Sequence, residues 1–162
     1  MSKKKSIITN AVRIVKAEKI PFKLLEYEAE EVGENFGVKI AELTGLPPER
    51  CFKTLVTRGR EIMIICIPVD KEADLKKIAA AAGEKKVEML PTRELLEVTG
   101  YLRGGVSPIG MKKHYRTYID KSCLDFDEIT ISGGVCGLSV MLSPKDLIKI
   151  TGAVCAELIK EN

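Results

Sequence analysis

The residues of this chain best suited to chemistry lie in one passage, YLRGGVSPIGMKKH, residues 101–114. Adjacent glycines at Gly104 and Gly105 let main-chain N–H groups converge on one point with no side chain in the way. Converging amides stabilise an oxyanion that develops at a carbonyl. Pro108 would stiffen such an arrangement, and Val106 and Ser107 sit inside it. The same composition also suits a tight turn between a helix and a strand, and the residues alone leave both readings open. A phosphate-binding P-loop is a poor match to Gly105-x-x-x-x-Gly110. Met111 separates the glycine from Lys112, no serine or threonine follows the lysine, and Pro108 removes an amide from the cradle.

The second candidate is Lys53, in Cys51-Phe52-Lys53-Thr54-Leu55-Val56. Period-two alternation puts Lys53 on one strand face with Cys51 and Leu55. There it could snorkel to solvent or polarise a group in a pocket. No protein nucleophile stands out. The one histidine, His114, has no serine or cysteine placed beside it, and Ser107 has no evident base. The five scattered cysteines include no C-x-x-C pair, which argues against a structural zinc site, and nothing calls for a cofactor. Net charge is only +3, but lysines pair at Lys76-Lys77, Lys85-Lys86 and Lys112-Lys113 and triple at Lys3-Lys4-Lys5. Lys112, Lys113 and Arg116 follow the glycine loop and could meet the phosphates of a nucleic acid.

The elements that must position these groups read as follows. A helix is expected over 10–19 with Asn10 as N-cap, then a strand from Phe22 to Tyr27, then a helix over 34–44 ended by Gly45. Two strands, Cys51–Thr57 and Glu61–Val69, form a hairpin about Arg58-Gly59-Arg60, the second apolar on both faces and therefore central. Asp70 or Asp74 opens a helix that Gly83 closes. A short strand over 86–89 and a helix capped by Thr92 lead to the glycine loop. Beyond it come a strand over 114–119, a hairpin of 129–132 with 137–142 about Gly133-Gly134, a helix from Ser143 to Gly152, and a last strand over 154–159. Hairpins mixed with helical crossovers give an α+β fold: one domain, 1–162, with a curved, mixed, partly barrel-like sheet flanked by helices. At 162 residues and 45% apolar the chain can bury a real core unaided. No apolar run approaches a membrane span, and the start lacks the features of a signal peptide. Unpaired cysteines within apolar stretches read as reduced core residues of a cytoplasmic protein.

Taken together, Ile20-Pro21-Phe22 with Tyr27, Phe52-Lys53-Thr54-Leu55-Val56, Gly100-Tyr101-Leu102 through Gly104-Gly105-x-Ser107-Pro108-x-Gly110, and Gly133-Gly134 through Gly137-Leu138-Ser139-Val140 to Pro144-x-Asp146-Leu147 resemble the YbaK family of aminoacyl-tRNA deacylases, relatives of the editing domain of bacterial prolyl-tRNA synthetases. Lys85-Lys86-Val87-Glu88-Met89 adds to the match, which covers nearly the whole chain in order and spacing.

The resemblance implies a site and a reaction. Lys53 would be the essential pocket residue, and Gly104 to Pro108 would face the scissile ester. Tyr27, Phe36 and Asp146 would line the substrate. Each of the three also has a plain structural role open to it: a wet strand hydroxyl, a helix core residue and a carboxylate at a helix start. The implied substrate is an aminoacyl-tRNA, above all cysteine mischarged on proline tRNA, with the substrate's own thiol attacking its carbonyl to form a cyclic thiolactone. A complex with prolyl-tRNA synthetase would supply tRNA selection. Three alternatives stay open: a deacylase for alanine or a broader range of amino acids, a non-catalytic module binding tRNA or a synthetase, and a hydrolase using Ser107 or a cysteine directly.

Overall fold

The structure, a computed structural model, describes residues 8–28 and 36–161. Its architecture turns on β3 (Ile62–Pro68), the strand whose two apolar faces predicted a central position. β3 pairs antiparallel with β2 (Phe52–Arg58) on one side and parallel with β5 (Arg116–Asp120) on the other. β4 (Glu88–Met89) and β8 (Val154–Ala156) complete a five-stranded sheet of order β4-β2-β3-β5-β8. One face of β3, through Met63, Ile65 and Ile67, packs on α3 (Leu75–Ala82) at Ile78, Ala79 and Ala82. The other, through Ile64 and Cys66, faces the main core.

A second sheet closes over that core. It has the order β1 (Phe22–Glu26), β7 (Leu138–Leu142), β6 (Ile129–Ser132), antiparallel throughout. Ile129, Ile131, Leu138, Val140 and Leu142 are buried from its inner face. The sheets meet at one isolated parallel bridge, Cys51 to Thr130. This is the mixed, partly barrel-like arrangement expected, curved but not closed. The helices α1 (Asn10–Ala17), α2 (Phe36–Thr44), α4 (Leu95–Thr99) and α5 (Pro144–Thr151) fill the openings.

Local chemistry explains most boundaries and some corrections. The cap of α1 is Thr9, not Asn10: Thr9 Oγ1 accepts from Val12 N at 3.1 Å, and Asn10 is already helical. Thr9 is better placed because its hydroxyl also donates to Gly133 O. Asn10 Nδ2 is thereby free to donate to Gly110 O at 2.7 Å. α1 therefore pins both the glycine loop and the β6–β7 turn. Asp74, not Asp70, caps α3, accepting from Lys76 N and Lys77 N. Thr92 caps no helix; it lies within a 3-10 turn, Thr92–Glu94, that Pro91 starts. Ser143 caps α5 and Gly152, at φ +71°, ends it, as expected. The last strand stops at Ala156, where its parallel register with β5 ends. Residues 34 and 35 of the second expected helix, and the Lys3-Lys4-Lys5 run, lie outside the described residues.

If β3 is the keel of the fold, truncating it should be costly. Ile65 is fully buried. Ile65→Ala should lower unfolding free energy by about 2–5 kcal/mol in urea titrations, through lost burial and the cavity left behind. A loss under about 1 kcal/mol would contradict this packing.

Candidate active site

β2 is hydrogen-bonded to β3 along its full length, but to β4 only at Thr57 and Arg58. Its outer edge is therefore open over its first half. Backbone direction there follows from two bonds on opposite sides. Val69 N donates to Cys51 O on the β3 side, and Leu90 N donates to Val56 O on the β4 side. Main-chain groups alternate sides along a strand, so those of Thr54, which shares the parity of Val56, point outward. They point into a cavity of about 440 Å³.

That cavity gathers residues from across the sequence. β2 lines it from Cys51 to Val56, and β6 and β7 contribute Thr130, Ser132 and Ser139. Tyr27 follows β1, and Phe36 and Gly37 begin α2. Gly37 is required there, since a Cβ would stand 2.7 Å from the Val69 side chain. Arg103, Gly104 and Val106 bring in the glycine loop. Lys53, Tyr27, Phe36, Gly104 and Val106, separated by up to 79 positions in sequence, thus share one cavity.

The rest of the loop serves other ends. Gly104 takes φ +89°, the left-handed region that favours glycine. Among the described residues the amides of Gly104, Val106 and Ser107 donate to no acceptor, whereas that of Gly105 donates to Leu102 O at 2.9 Å. Gly105 is thus not an oxyanion donor. It is needed because a Cβ there would lie 2.8 Å from Val135 Cα, in the β6–β7 turn. Ser107 and Pro108 do not line the cavity. Ser107 is fully buried, and its Oγ accepts from Ile109 N at 3.3 Å. Pro108 faces a second cavity behind the loop. Tyr101, whose hydroxyl donates to Ile109 O at 2.6 Å, braces the loop from within.

Two further candidates lie outside the cavity lining. Asp146 sits in the first turn of α5, where its amide donates to Ser143 Oγ, and does not line the cavity. Arg116 is committed within the sheet: its Nη2 lies 3.3 Å from Glu84 Oε2 and donates to Ala82 O. It is thus tied to the sheet by an acidic partner, while Lys112 and Lys113 are more exposed. Conversely, Thr54, Arg103, Thr130, Ser132 and Ser139 line the site although no role was read for them. Arg103 was visible inside the loop and Thr54 beside Lys53. Ser139 carried no signal beyond its GLSV context.

A family model for the aminoacyl-tRNA editing domain matches residues 30–150. The chain is 41% identical, over 98% of both sequences, to the Enterococcus faecalis protein named "Putative Cys-tRNA(Pro)/Cys-tRNA(Cys) deacylase EbsC". The chain belongs to the aminoacyl-tRNA editing domain family. An Escherichia coli member, "Multifunctional Ser/Thr-tRNA deacylase ProXp-y", is 24% identical over 86% of this chain and 84% of its own. A solved structure described as "a putative trans-editing enzyme for prolyl tRNA synthetase" superposes with a TM-score of 0.82 at 25% identity, covering 96% of this chain and all of that one.

Within this editing domain the electrostatics single out Lys53. Burial pushes its amine below the ordinary lysine range, and the Glu72 and Asp70 carboxylates oppose that shift. Burial likewise raises the phenol of Tyr27. No activated nucleophile lines the cavity among the described residues. Burial raises the thiol of Cys51, the one cysteine there, away from the reactive thiolate. His114 lines the second cavity instead.

Two outcomes follow. Carboxylates stabilise the ammonium form, so replacing them, in Asp70→Asn/Glu72→Gln, should move the Lys53 titration midpoint further down. NMR of the lysine side-chain methylenes reads this, and an unchanged or raised midpoint would contradict the local field described. Gly105→Ala should cost about 1–3 kcal/mol of stability by forcing the loop off the Val135 backbone, and a neutral result in thermal unfolding would show that contact to be loose.

Proposed function

We infer that this editing domain hydrolyses the ester of cysteinyl-tRNA, cysteinyl-tRNA(Pro) above all, using the substrate's thiol as the nucleophile. The observation that carries the reading is a single cavity holding Lys53 and the unengaged Gly104 and Val106 amides, with no activated side-chain nucleophile. The amides and the lysine suit a carbonyl oxygen that gains negative charge, since donors fixed in a sheltered site need no reorganisation as charge develops. The thiol sulfur of the aminoacyl group attacks its own carbonyl carbon. The carbon–oxygen bond to the ribose breaks, the ribose oxygen takes the proton given up by the thiol, and a cyclic thiolactone leaves. Water then opens the thiolactone to free cysteine.

This route makes selection chemical. Size alone would discriminate weakly, since one methylene is worth only about 1–3 kcal/mol in an apolar pocket. Alanine has no nucleophile to offer. Serine has a hydroxyl, which ionises far less readily than a thiol. Exposed Lys112 and Lys113 would meet phosphates near the acceptor end, and a prolyl-tRNA synthetase would supply the tRNA choice that so small a domain lacks. The name of the E. faecalis relative and the description of the solved trans-editing structure support this assignment.

Release of cysteine, serine and alanine from matched aminoacyl-tRNAs tests the reading. Cysteine should be released at least about a hundredfold faster than alanine, and S-methylcysteine should be inert. Release of alanine or S-methylcysteine at the cysteine rate would remove the substrate-thiol route. No release of any amino acid would leave a tRNA-binding module. Lys53→Ala should lower kcat/KM about 100-fold or more, the scale of one lost oxyanion donor. Unimpaired turnover in that variant would dismiss the lysine.

A further inference from the structure

Behind the glycine loop lies a second cavity, of about 240 Å³, that the deacylation site does not use. The two cavities share the loop as a wall: Gly104 and Val106 face the first, and Pro108 to His114 face the second. Its mouth carries two ammonium groups and an imidazole, on Lys112, Lys113 and His114, all exposed. None of its lining residues is an Asp or Glu. Its inner wall is mixed: Ile14 of α1, Ile64 of β3 and Ile150 of α5 lie beside Thr117 and Thr151.

We propose that this cavity binds one nucleotide unit, its phosphate at the Lys112–Lys113–His114 mouth and its base against the isoleucine side chains. A basic rim over an interior that offers both isoleucine side chains and the Thr117 and Thr151 hydroxyls suits an anion attached to a flat body with an apolar face and polar edges. The volume lies below the roughly 300–1,000 Å³ typical of larger ligands, and suits a single base better than an extended molecule. Two side chains refine the match. The Tyr115 ring is held by its hydroxyl, which donates to Val98 O at 2.6 Å, and a fixed aromatic wall is what an unstacked base packs against. The Thr117 hydroxyl donates to Tyr115 O at 3.0 Å, so its oxygen is left to accept, which favours a base offering an amino group. Two sources present such a unit: the single-stranded 3′ tail of an aminoacyl-tRNA whose last residue occupies the first cavity, or a free mononucleotide. The first source rests on the proposed editing function; the pocket itself does not. In either case occupancy clamps the loop that borders the ester.

The test uses the full chain with isoleucine δ-methyl labels and cytidine 5′-monophosphate, cytidine and inorganic phosphate as probes. The monophosphate should give saturable shifts at Ile14, Ile64, Ile109 and Ile150. Cytidine should bind more weakly, and phosphate alone should leave those methyls unmoved. Lys112→Ala/Lys113→Ala, at two exposed positions, should weaken monophosphate binding at least about fivefold through loss of charge-assisted contacts. Absence of shifts at these methyls at millimolar monophosphate, or equal binding of cytidine and its monophosphate, overturns the proposal. Kinetics on the unmodified chain then distinguish the sources. Competition by the monophosphate against cysteinyl-tRNA but not against 3′-cysteinyl-adenosine assigns the cavity to the tRNA tail. Binding without effect on either substrate assigns it to a free nucleotide, and competition against both puts the probe in the first cavity and overturns the proposal. Because methyl shifts do not need turnover, an inactive protein that still binds the monophosphate would sink the editing reading and leave the nucleotide site standing.

Discussion

One unpaired strand edge makes the site. β2 is a full partner of β3, yet among the described residues β4 pairs with it at only two residues, and the second sheet is bridged to its start through Cys51, opposite Thr130. Between those two attachments the main-chain groups of Thr54 are left facing outward. A buried polar backbone without partners costs free energy, and an open edge invites pairing with a foreign strand. Here the edge is roofed by α2, the glycine loop and the β6–β7 hairpin, so it is hidden from other chains yet open to a small cavity. The gap in the sheet is thus a binding site and not an aggregation hazard. Had β4 run on along β2, its backbone would have taken the outward groups of Thr54.

The loop across that gap must hold its amides open, and its restraint comes from outside the site. Thr9 and Asn10 fasten the start of α1 to the β6–β7 turn and to Gly110. Tyr101 bonds to Ile109. Gly105 lies against the Val135 backbone with no room for a side chain. These contacts hold the loop on both sides of Gly104 and Val106, whose amides keep no acceptor among the described residues, as preorganised donors require. The glycines therefore divide their labour. Gly104 supplies a left-handed turn and an available amide at the cavity, and Gly105 supplies close packing beneath it. Composition could not separate those duties, because a glycine that must bare its amide and one that must make room look the same in sequence.

What was legible in the sequence follows from range. The hairpin of β2 and β3, the capped and glycine-terminated α5, and the central position of β3 all rest on local pattern, and these agree with the structure. Asn10 failed as a cap because a better one, Thr9, was chosen by a contact with Gly133, 124 positions away. Arg116 read as a free cation because nothing near it in sequence announces Glu84. Asp146 is a helix-start carboxylate, the plain role its position allowed. Lys53 and the loop were found as chemistry, but their sharing of a cavity depends on how far β4 and β6 extend along β2, a property of the assembled sheets. Thr54 was hidden for the same reason, since its outward main-chain groups matter only where no neighbouring strand takes them.

The environment of the cavity also bears on why such a site needs so few reactive parts. Burial disfavours charge on three of its groups: it lowers the Lys53 amine and raises the Cys51 thiol and the Tyr27 phenol. A pocket of that character is poor at generating an anionic nucleophile of its own. It would suit a neutral ester, because the same low polarity would strengthen each hydrogen bond from the loop amides in the proposed reaction once charge appears on the carbonyl oxygen. The protein would then stabilise the charge while the substrate brings the nucleophile. On the proposed route a prolyl-tRNA(Pro), which carries no thiol, would bring no nucleophile even on entering the cavity.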